Sequence, residues 1–149
     1  MKNKIYLKVN TDLTALPQVL SWFEQMNQPP ILDKQIWWQC QTLLMEGFTN
    51  IVEHAHKNLP IETPIEMEAV RLDKYIEIRI WSQGKPFDLQ HKLRQTSEFE
   101  ENEQDRGRGL KIMSAIADKL SYEPTVDNRY CLFISKVIYE GSGEWGVRS

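Results

Sequence analysis

Two runs of alternating apolar and polar residues, separated by Asp73 and Lys74, constrain the fold of this chain most strongly. The first run is "PIEMEAVRL" and the second is "YIEIRIWS". Strict alternation puts every second side chain on the same face of a strand, and the short polar interruption is typical of a turn. The sequence therefore predicts a two-stranded antiparallel hairpin with one face turned toward the core.

The residues before this hairpin predict one strand and two helices. Residues 5–9 alternate between apolar and polar side chains, as in a strand, and one of residues 10–12 can cap the helix that follows. That helix covers "ALPQVLSWFEQM" and ends before the two prolines at positions 29 and 30. Asp33 then precedes a long amphipathic helix, which we expect from about Lys34 to Lys57.

The residues after the hairpin predict a loop, a third helix and a second hairpin. Residues from about 87 to 108 are polar and charge-rich without a sustained period, and a loop of this length is usually functional or disordered. The third helix begins at the glycines of "RGRGLKIMSAIADKL", and "LSYEPTVDNRYCLFISKVI" forms a hairpin that turns at Asp127 and Asn128. These elements predict an α+β fold: a mixed, mostly antiparallel sheet with helices on one face. We expect one domain over residues 1–138 and a loose tail over residues 139–149.

Composition excludes some functions and favours a location. The net charge of -3 over 149 residues argues against a general nucleic-acid binder, which is normally basic. No apolar run approaches the roughly 20 residues that span a membrane. Cys40 and Cys131 lie in apolar contexts, and we interpret them as reduced core thiols of a cytoplasmic protein. A disulfide between them remains an alternative.

The stretch "MEGFTNIVEHAH" spaces Glu46, Asn50 and His54 four residues apart. At about 100° per residue these three drift through only about 80°, on the side of the helix opposite Leu44 and Phe48. A solvated helix face is the ordinary interpretation of such a line. The alternative is a magnesium site, because a carboxylate and an amide oxygen can share one hydrated divalent cation. The carboxylate can also accept a proton from an attacking hydroxyl.

The two histidines of this stretch do not predict a zinc site. His54 and His56 are two residues apart, so they point to different faces of a helix and cannot easily hold one ion. We expect His54 to be a structural hydrogen-bonding residue close to the site.

The stretch "RGRGL" places Gly107 and Gly109 around Arg108 at the start of the third helix. Free backbone N–H groups and the positive end of the helix dipole favour an anion at such a position. Arg106 and Arg108 add charge that suits a phosphate. A flexible junction between loop and helix is the other interpretation, since the chain has no standard phosphate-binding loop motif.

The order and spacing of these pieces resemble one specific family. The pieces are Glu-x3-Asn-x3-His-Ala on a long helix, a strand that ends in "WSQGKP", a loop, a Gly-x-Gly-Leu helix start and "DNRYCLFISKVI". Over about residues 1–138 this resembles the serine-kinase anti-sigma factors of the superfamily of gyrase, chaperone and histidine-kinase type ATPases. The resemblance implies an α/β sandwich that holds Mg-ATP. It also implies a sigma factor and an anti-anti-sigma protein as partners, and a possible homodimer.

The resemblance also implies roles for particular positions. Glu46 matches the general base that acts on the acceptor serine, and Asn50 matches the magnesium ligand that bridges the ATP phosphates. Gly84 matches the glycine of the adenine box. The residues that the resemblance places at the nucleotide are Asn50, His54, Ser82, Gly84, Gly107, Arg108, Gly109, Leu110 and Cys131.

Two positions depart from the family pattern. The adenine box normally begins with Asp, where this chain has Ser82, and the penultimate strand often carries a Thr, where the alignment gives Cys131. Replacing a charged hydrogen-bond acceptor by a neutral one costs about 1–2 kcal/mol, or about five- to thirtyfold in affinity. Three alternatives follow: ATP binds weakly, the base preference has changed, or nucleotide is no longer used.

The sequence therefore supports two functions. The first is an ATP-dependent protein-serine kinase that acts as an anti-sigma regulator and phosphorylates a serine of an anti-anti-sigma partner. The second is a regulatory binding module of the same fold, with a degenerate pocket, that acts by partner exchange alone. A histidine-kinase catalytic domain is less favoured, because the chain carries no dimerisation helix with a phospho-acceptor histidine.

Overall fold

The computed structural model of the protein describes residues 3–83 and 108–138, with Arg108 described by its backbone alone. The loop expected over about residues 87–108 therefore lies outside the described residues except for its last position. The tail expected over residues 139–149 also lies outside them.

In the described residues, five strands form a single antiparallel sheet in the order β1-β2-β3-β5-β4. Their bounds are Asn3–Val9 for β1, Ile65–Arg71 for β2, Tyr75–Ser82 for β3, Lys119–Pro124 for β4 and Tyr130–Val137 for β5. Both predicted hairpins are confirmed, β2 with β3 and β4 with β5. At the second turn Asn128 has a φ of 67°, a left-handed conformation that asparagine tolerates better than most residues.

The second and third helices begin where the sequence predicts, whereas the first begins after a short 3-10 turn that the sequence did not separate from it. Their bounds are Leu16–Phe23 for α1, Lys34–Asn50 for α2 and Arg108–Ile116 for α3. The Asp33 carboxylate caps α2 by accepting hydrogen bonds from the backbone N–H groups of Gln35 and Ile36. Asp12 plays the same part for the short 3-10 turn before α1, where it accepts from Thr14. These caps satisfy amide groups that the first turn of a helix cannot pair internally.

The long second helix ends earlier than expected. Its α-helical part stops at Asn50 and is followed by a π-helical turn over Ile51–Ala55, whereas the sequence predicted a helix to Lys57. The backbone N–H of His56 donates to the carbonyl of Ile51 at 2.8 Å, which closes this wider turn. Such turns place an extra residue in the helix and are frequent at functional sites.

The third helix also ends early, because β5 captures the residues that follow it. The backbone N–H of Asp118 donates to the carbonyl of Ser135 at 2.8 Å, and Leu120 pairs with Ile134 in the sheet. The prediction that Leu120 lies on the helix was wrong. The Lys136 ammonium donates to the carbonyl of Ile116 at 3.0 Å and so caps the end of α3.

The helices cover one face of the sheet, as predicted for this α+β fold. A Cβ added to Gly47 of α2 would lie 3.0 Å from Ile80 Cδ1 and 3.3 Å from Leu132 Cδ2, so α2 packs tightly over β3 and β5. Phe23 of α1 stacks on Trp37 of α2 with ring centroids 5.0 Å apart. Among the described helices, none is both long and apolar enough to cross a membrane.

Candidate functional site

Glu46 and Asn50 lie one turn apart near the end of α2. Asn50 is buried, with 5% of its surface exposed, and its Nδ2 donates to the carbonyl of Glu46 at 2.9 Å. This hydrogen bond commits Nδ2 to the backbone of the helix, so Oδ1 is the atom that the amide can offer to a cation. The Glu46 side chain is half-buried beside it. The carboxylate and the amide therefore present oxygen atoms on the same side of α2.

Gly109 in the first turn of α3 meets both of these side chains. A Cβ placed on Gly109 would overlap Glu46 Oε1 and would come within 3.3 Å of Asn50 Nδ2. The backbone at the start of α3 can approach α2 this closely because Gly109 lacks a side chain. Leu110, the next residue, is 3% exposed and belongs to the core, so it anchors this helix start. The structure thus brings three of the predicted positions, Glu46, Asn50 and Gly109, into one place.

His54 lies within the π-helical turn and is half-buried. The sequence placed it in line with Glu46 and Asn50 on a regular helix. The turn changes the angle between successive residues after Asn50, so regular α-helical spacing does not fix the direction of this ring.

Ser82 ends β3 on the face of the sheet that α2 covers. It follows Ile80, which contacts the Gly47 position of α2, on the same side of the strand. Ser82 is 1% exposed, and its hydroxyl lies 3.4 Å from the Tyr122 hydroxyl of β4. Tyr122 stacks on Tyr130 of β5, with centroids 5.2 Å apart and planes at 19°. The end of β3 is therefore lined by neutral hydroxyl groups and aromatic rings.

Cys131 does not lie with Ser82, contrary to the placement expected from the sequence. Cys131 pairs with Trp81 across β3 and β5, and Ser82 pairs with Tyr130. Neighbouring residues of a strand point to opposite faces, so Cys131 is on the face of the sheet away from α2. Tyr130 is the residue of β5 that lies across from Ser82. Cys131 is half-buried and free, so it is not the core thiol that the sequence predicted, whereas Cys40 is fully buried.

His56 joins three segments of the chain at the end of β3, a role that spacing alone did not indicate. Its Nδ1 lies 2.7 Å from Thr11 Oγ1, and its Nε2 accepts the backbone N–H of Gln83 at 2.8 Å. The ring is 1% exposed, and this burial lowers its pKa below the usual 6.5. The sequence offered no signal for this contact beyond the position of His56 after a buried helical turn.

The remaining predicted positions are not all described. Gly84 and Gly107 lie outside the described residues, and only the backbone of Arg108 is described. Within the described parts of the chain, no three His, Cys, Asp or Glu side chains form a group that could hold a metal ion. Oxygen donors toward a cation in this region come from Glu46 and Asn50 on α2.

Residues 9–136 match the family model described as the histidine kinase-like ATPase domain. The chain belongs to this family. The match includes α2 with Glu46 and Asn50, the end of β3 with Ser82, and the start of α3 with Gly109. The histidine kinase-like ATPase domain is therefore the framework on which these side chains are placed. Among curated proteins, none matches the chain.

A solved structure shares this fold. One chain of the SiaB-SiaC complex from Pseudomonas aeruginosa superimposes with a TM-score of 0.62 at 12% identity. The match covers 90% of this chain and 89% of the chain in the complex. At this identity the likeness concerns the arrangement of strands and helices alone.

Proposed function

We propose that the protein is an ATP-dependent protein-serine kinase that regulates a partner protein of the anti-anti-sigma type. The observation that carries the proposal is the meeting of Glu46 and Asn50 with the Gly109 backbone between α2 and α3. A carboxylate, an amide oxygen and a helix N-terminus combine a proton acceptor, a magnesium ligand and an anion site. A solvated helix face does not require the buried Asn50 or the close approach of α3.

The donor set fits Mg-ATP on its phosphate side. Asn50 Oδ1 would hold the magnesium ion, since this ion prefers oxygen ligands. Gly109 lets the backbone at the start of α3 come close to Glu46 and Asn50, because a Cβ at this position would overlap the Glu46 carboxylate. When bound, Mg-ATP supplies the phosphoryl group that is transferred.

Glu46 has the position of a general base. Its carboxylate accepts the proton of the acceptor hydroxyl as that oxygen attacks, which makes the oxygen a better nucleophile. The adjacent start of α3 contributes the positive end of its dipole, which favours negative charge at this place. Asn50 holds the metal side of the site, and Glu46 holds the acceptor side.

The regulatory part of the proposal rests on the resemblance and on the fold. The family resemblance implies a sigma factor and an anti-anti-sigma protein as partners. The solved structure that shares the fold contains two proteins, SiaB and SiaC, in one complex. A protein partner for this chain is consistent with that likeness.

A second function, that of a nucleotide-independent binding module, is favoured by one observation. Ser82 is buried and lies within 3.4 Å of the Tyr122 hydroxyl, so the end of β3 offers no carboxylate to a base. In this alternative the same fold regulates its partner by exchange, without phosphoryl transfer.

Titration of the full chain with Mg-ATP, followed by measurement of ADP formation, tests the kinase proposal. We expect micromolar to submillimolar binding by the natural chain. Asn50→Ala should weaken binding by about tenfold or more, as should removal of magnesium with a chelator, because the metal loses its protein ligand. Glu46→Gln should keep binding within about threefold and reduce ADP formation by about a hundredfold, which is typical of a lost general base.

Glu53→Gln and Asn58→Ala are matched controls, since both residues are exposed on or just after the same helical segment. They should bind and turn over Mg-ATP as the natural chain does. A folded protein that binds no Mg-ATP at millimolar concentration would instead support the binding module. Unchanged turnover in Glu46→Gln would remove Glu46 as the base.

A further inference from the structure

His56 is a buried ionisable side chain that the proposed chemistry does not use. The ring is 1% exposed, and both of its nitrogens have partners from other segments of the chain. One partner is Thr11, which follows β1, and the other is the backbone N–H of Gln83, which follows β3. A histidine at such a junction either fills space or sets the position of one of these segments.

The hydrogen bonds fix the protonation of the ring. The Thr11 hydroxyl donates to the carbonyl of Thr63 at 2.6 Å, so it accepts the proton that His56 Nδ1 carries at 2.7 Å. His56 Nε2 accepts from the Gln83 N–H at 2.8 Å, which requires that Nε2 carry no proton. The ring is therefore neutral with its hydrogen on Nδ1. Each polar atom in this chain of contacts has a defined role as donor or acceptor.

The Gln83 contact acts on the base end of the site. The N–H of Gln83 belongs to the peptide bond that begins at the carbonyl of Ser82, so His56 restrains this peptide directly. Ser82 is the last residue of β3, where ladder hydrogen bonds from β5 end at the pair with Tyr130. Beyond the end of the strand, the backbone N–H of Gln83 is restrained by its hydrogen bond to His56, which lies outside the sheet.

We propose that His56 is a positioning residue that fixes the Ser82–Gln83 peptide, and with it the Ser82 hydroxyl, at the base end of the nucleotide site. The part of this proposal that concerns the nucleotide rests on the proposed function. The part that concerns the Ser82–Gln83 peptide rests on the described contacts alone. The π-helical turn before His56 supplies the geometry, because the Ile51 carbonyl accepts the His56 N–H at 2.8 Å and so directs the chain toward β3. Thr11 is held in turn by its own backbone N–H, which donates to the carbonyl of Ile61 at 2.9 Å.

The proposal has a pH dependence with a definite sign. Burial is the main reason that the pKa of His56 lies below 6.5. As the pH falls through this lowered pKa, Nε2 gains a proton and can no longer accept the Gln83 N–H. Stability and positioning are therefore complete above about pH 6.5 and decline in acid. The charged or ionisable residues on the segments that contact the ring are Asp12, Glu53, His54, Lys57 and Glu62.

The first test follows the Gln83 amide by nuclear magnetic resonance, with no nucleotide present. In the natural chain we expect the Gln83 amide shift to titrate with a midpoint below 6.5, because it reports the protonation of His56. His56→Gln places an amide oxygen near the position of Nε2, so Gln83 should remain protected from hydrogen exchange and should lose this titration. His56→Asn keeps a donor toward Thr11 but is too short to reach Gln83, so exchange of the Gln83 amide should rise at least about tenfold.

His54→Gln serves as the control for the amide titration, since it removes the other described histidine and should leave the Gln83 midpoint in place. The positioning role would be overturned if the Gln83 amide neither titrated in the natural chain nor lost protection in His56→Asn. This outcome is measured without nucleotide, so it is distinct from failure of the kinase proposal. The kinase proposal fails if the natural chain is folded but does not bind Mg-ATP.

The second test joins the two proposals. We expect the Kd for Mg-ATP to rise about tenfold in His56→Asn and to stay within about threefold of the natural value in His56→Gln. Acidification from pH 7.5 to 5.5 should weaken binding by the natural chain more than binding by His56→Gln. Equal affinities of the three proteins at both pH values would mean that His56 does not position the base end of the site.

Discussion

In the proposed nucleotide site, Ser82 stands at the end that would contact the base. Its hydroxyl is neutral and buried, and it lies 3.4 Å from the Tyr122 hydroxyl. A hydroxyl can both donate and accept, whereas a carboxylate only accepts, so Ser82 discriminates less strongly between bases than an aspartate would. The stacked rings of Tyr122 and Tyr130 beside it add an apolar surface that does not select one base.

Ser82→Asp should strengthen Mg-ATP binding about five- to thirtyfold, because a charged acceptor for the amine of adenine is worth about 1–2 kcal/mol more than a neutral one. The same change should lower the free energy of unfolding of the nucleotide-free protein, since it buries a carboxylate. Calorimetric titration and denaturant unfolding measure the two effects. Ser82→Asn has a similar size without the charge and should give little gain in affinity. An unchanged Kd in Ser82→Asp would show that this position does not limit binding.

At the scale of the elements, two glycines define the surfaces of α2. Gly47 faces the sheet, where an added Cβ would meet side-chain methyl groups of β3 and β5 at 3.0 to 3.3 Å. Gly109 of α3 faces the opposite side of the same helix, where an added Cβ would overlap the Glu46 carboxylate. One contact belongs to the core and the other belongs to the candidate site. Substitutions at Gly47 and Gly109 therefore test stability and function separately.

Gly109→Ala should leave the free energy of unfolding unchanged or raise it by up to about 1 kcal/mol, because alanine favours a helix and the Glu46 side chain can move aside. That movement displaces the proposed base, so ADP formation should fall by about tenfold or more. Gly47→Ala is the matched comparison. It should lower the free energy of unfolding by about 1–2 kcal/mol, since overpacking of the core outweighs the gain in helix propensity. Full activity in Gly109→Ala would argue against a role for the contact between α2 and α3.

At the scale of the whole molecule, the core is shared by the sheet and the helix layer. Cys40 of α2 is fully buried within this core, and burial raises its pKa to about 12. Cys131 is half-buried on the other face of the sheet, where burial also raises its pKa. Both thiols are therefore mainly protonated at neutral pH, and deep burial makes Cys40 the less reactive one, because it limits both access and ionisation.

A thiol reagent at neutral pH should modify Cys131 first and Cys40 only as the protein unfolds globally. The rate for Cys40 should rise with denaturant in parallel with the loss of secondary structure, because its exposure requires separation of the two layers. Cys131→Ser should abolish the early reaction and leave the late one unchanged. Modification of Cys40 in the absence of denaturant, at a rate comparable with Cys131, would contradict the assignment of Cys40 to the core.

Elements with local sequence signals were predictable from the amino-acid sequence. Alternation gave both hairpins, Asp33 marked the start of α2, and the four-residue spacing put Glu46 and Asn50 on the polar side of that helix. Each of these depends on residues close together in the chain, which is why periodicity and capping predict them.

Contacts between distant segments could be seen only in the tertiary structure. The pairing of β4 with β5 ended α3 before Leu120, and the register of β3 with β5 put Tyr130, and not Cys131, across from Ser82. A register that differs by one residue moves a side chain to the other face of a sheet, so an alignment of sequences cannot settle it. The His56 contact with Gln83 joins residues 27 positions apart. Burial at such a junction depends on how the layers pack, and no local pattern of residues encodes it.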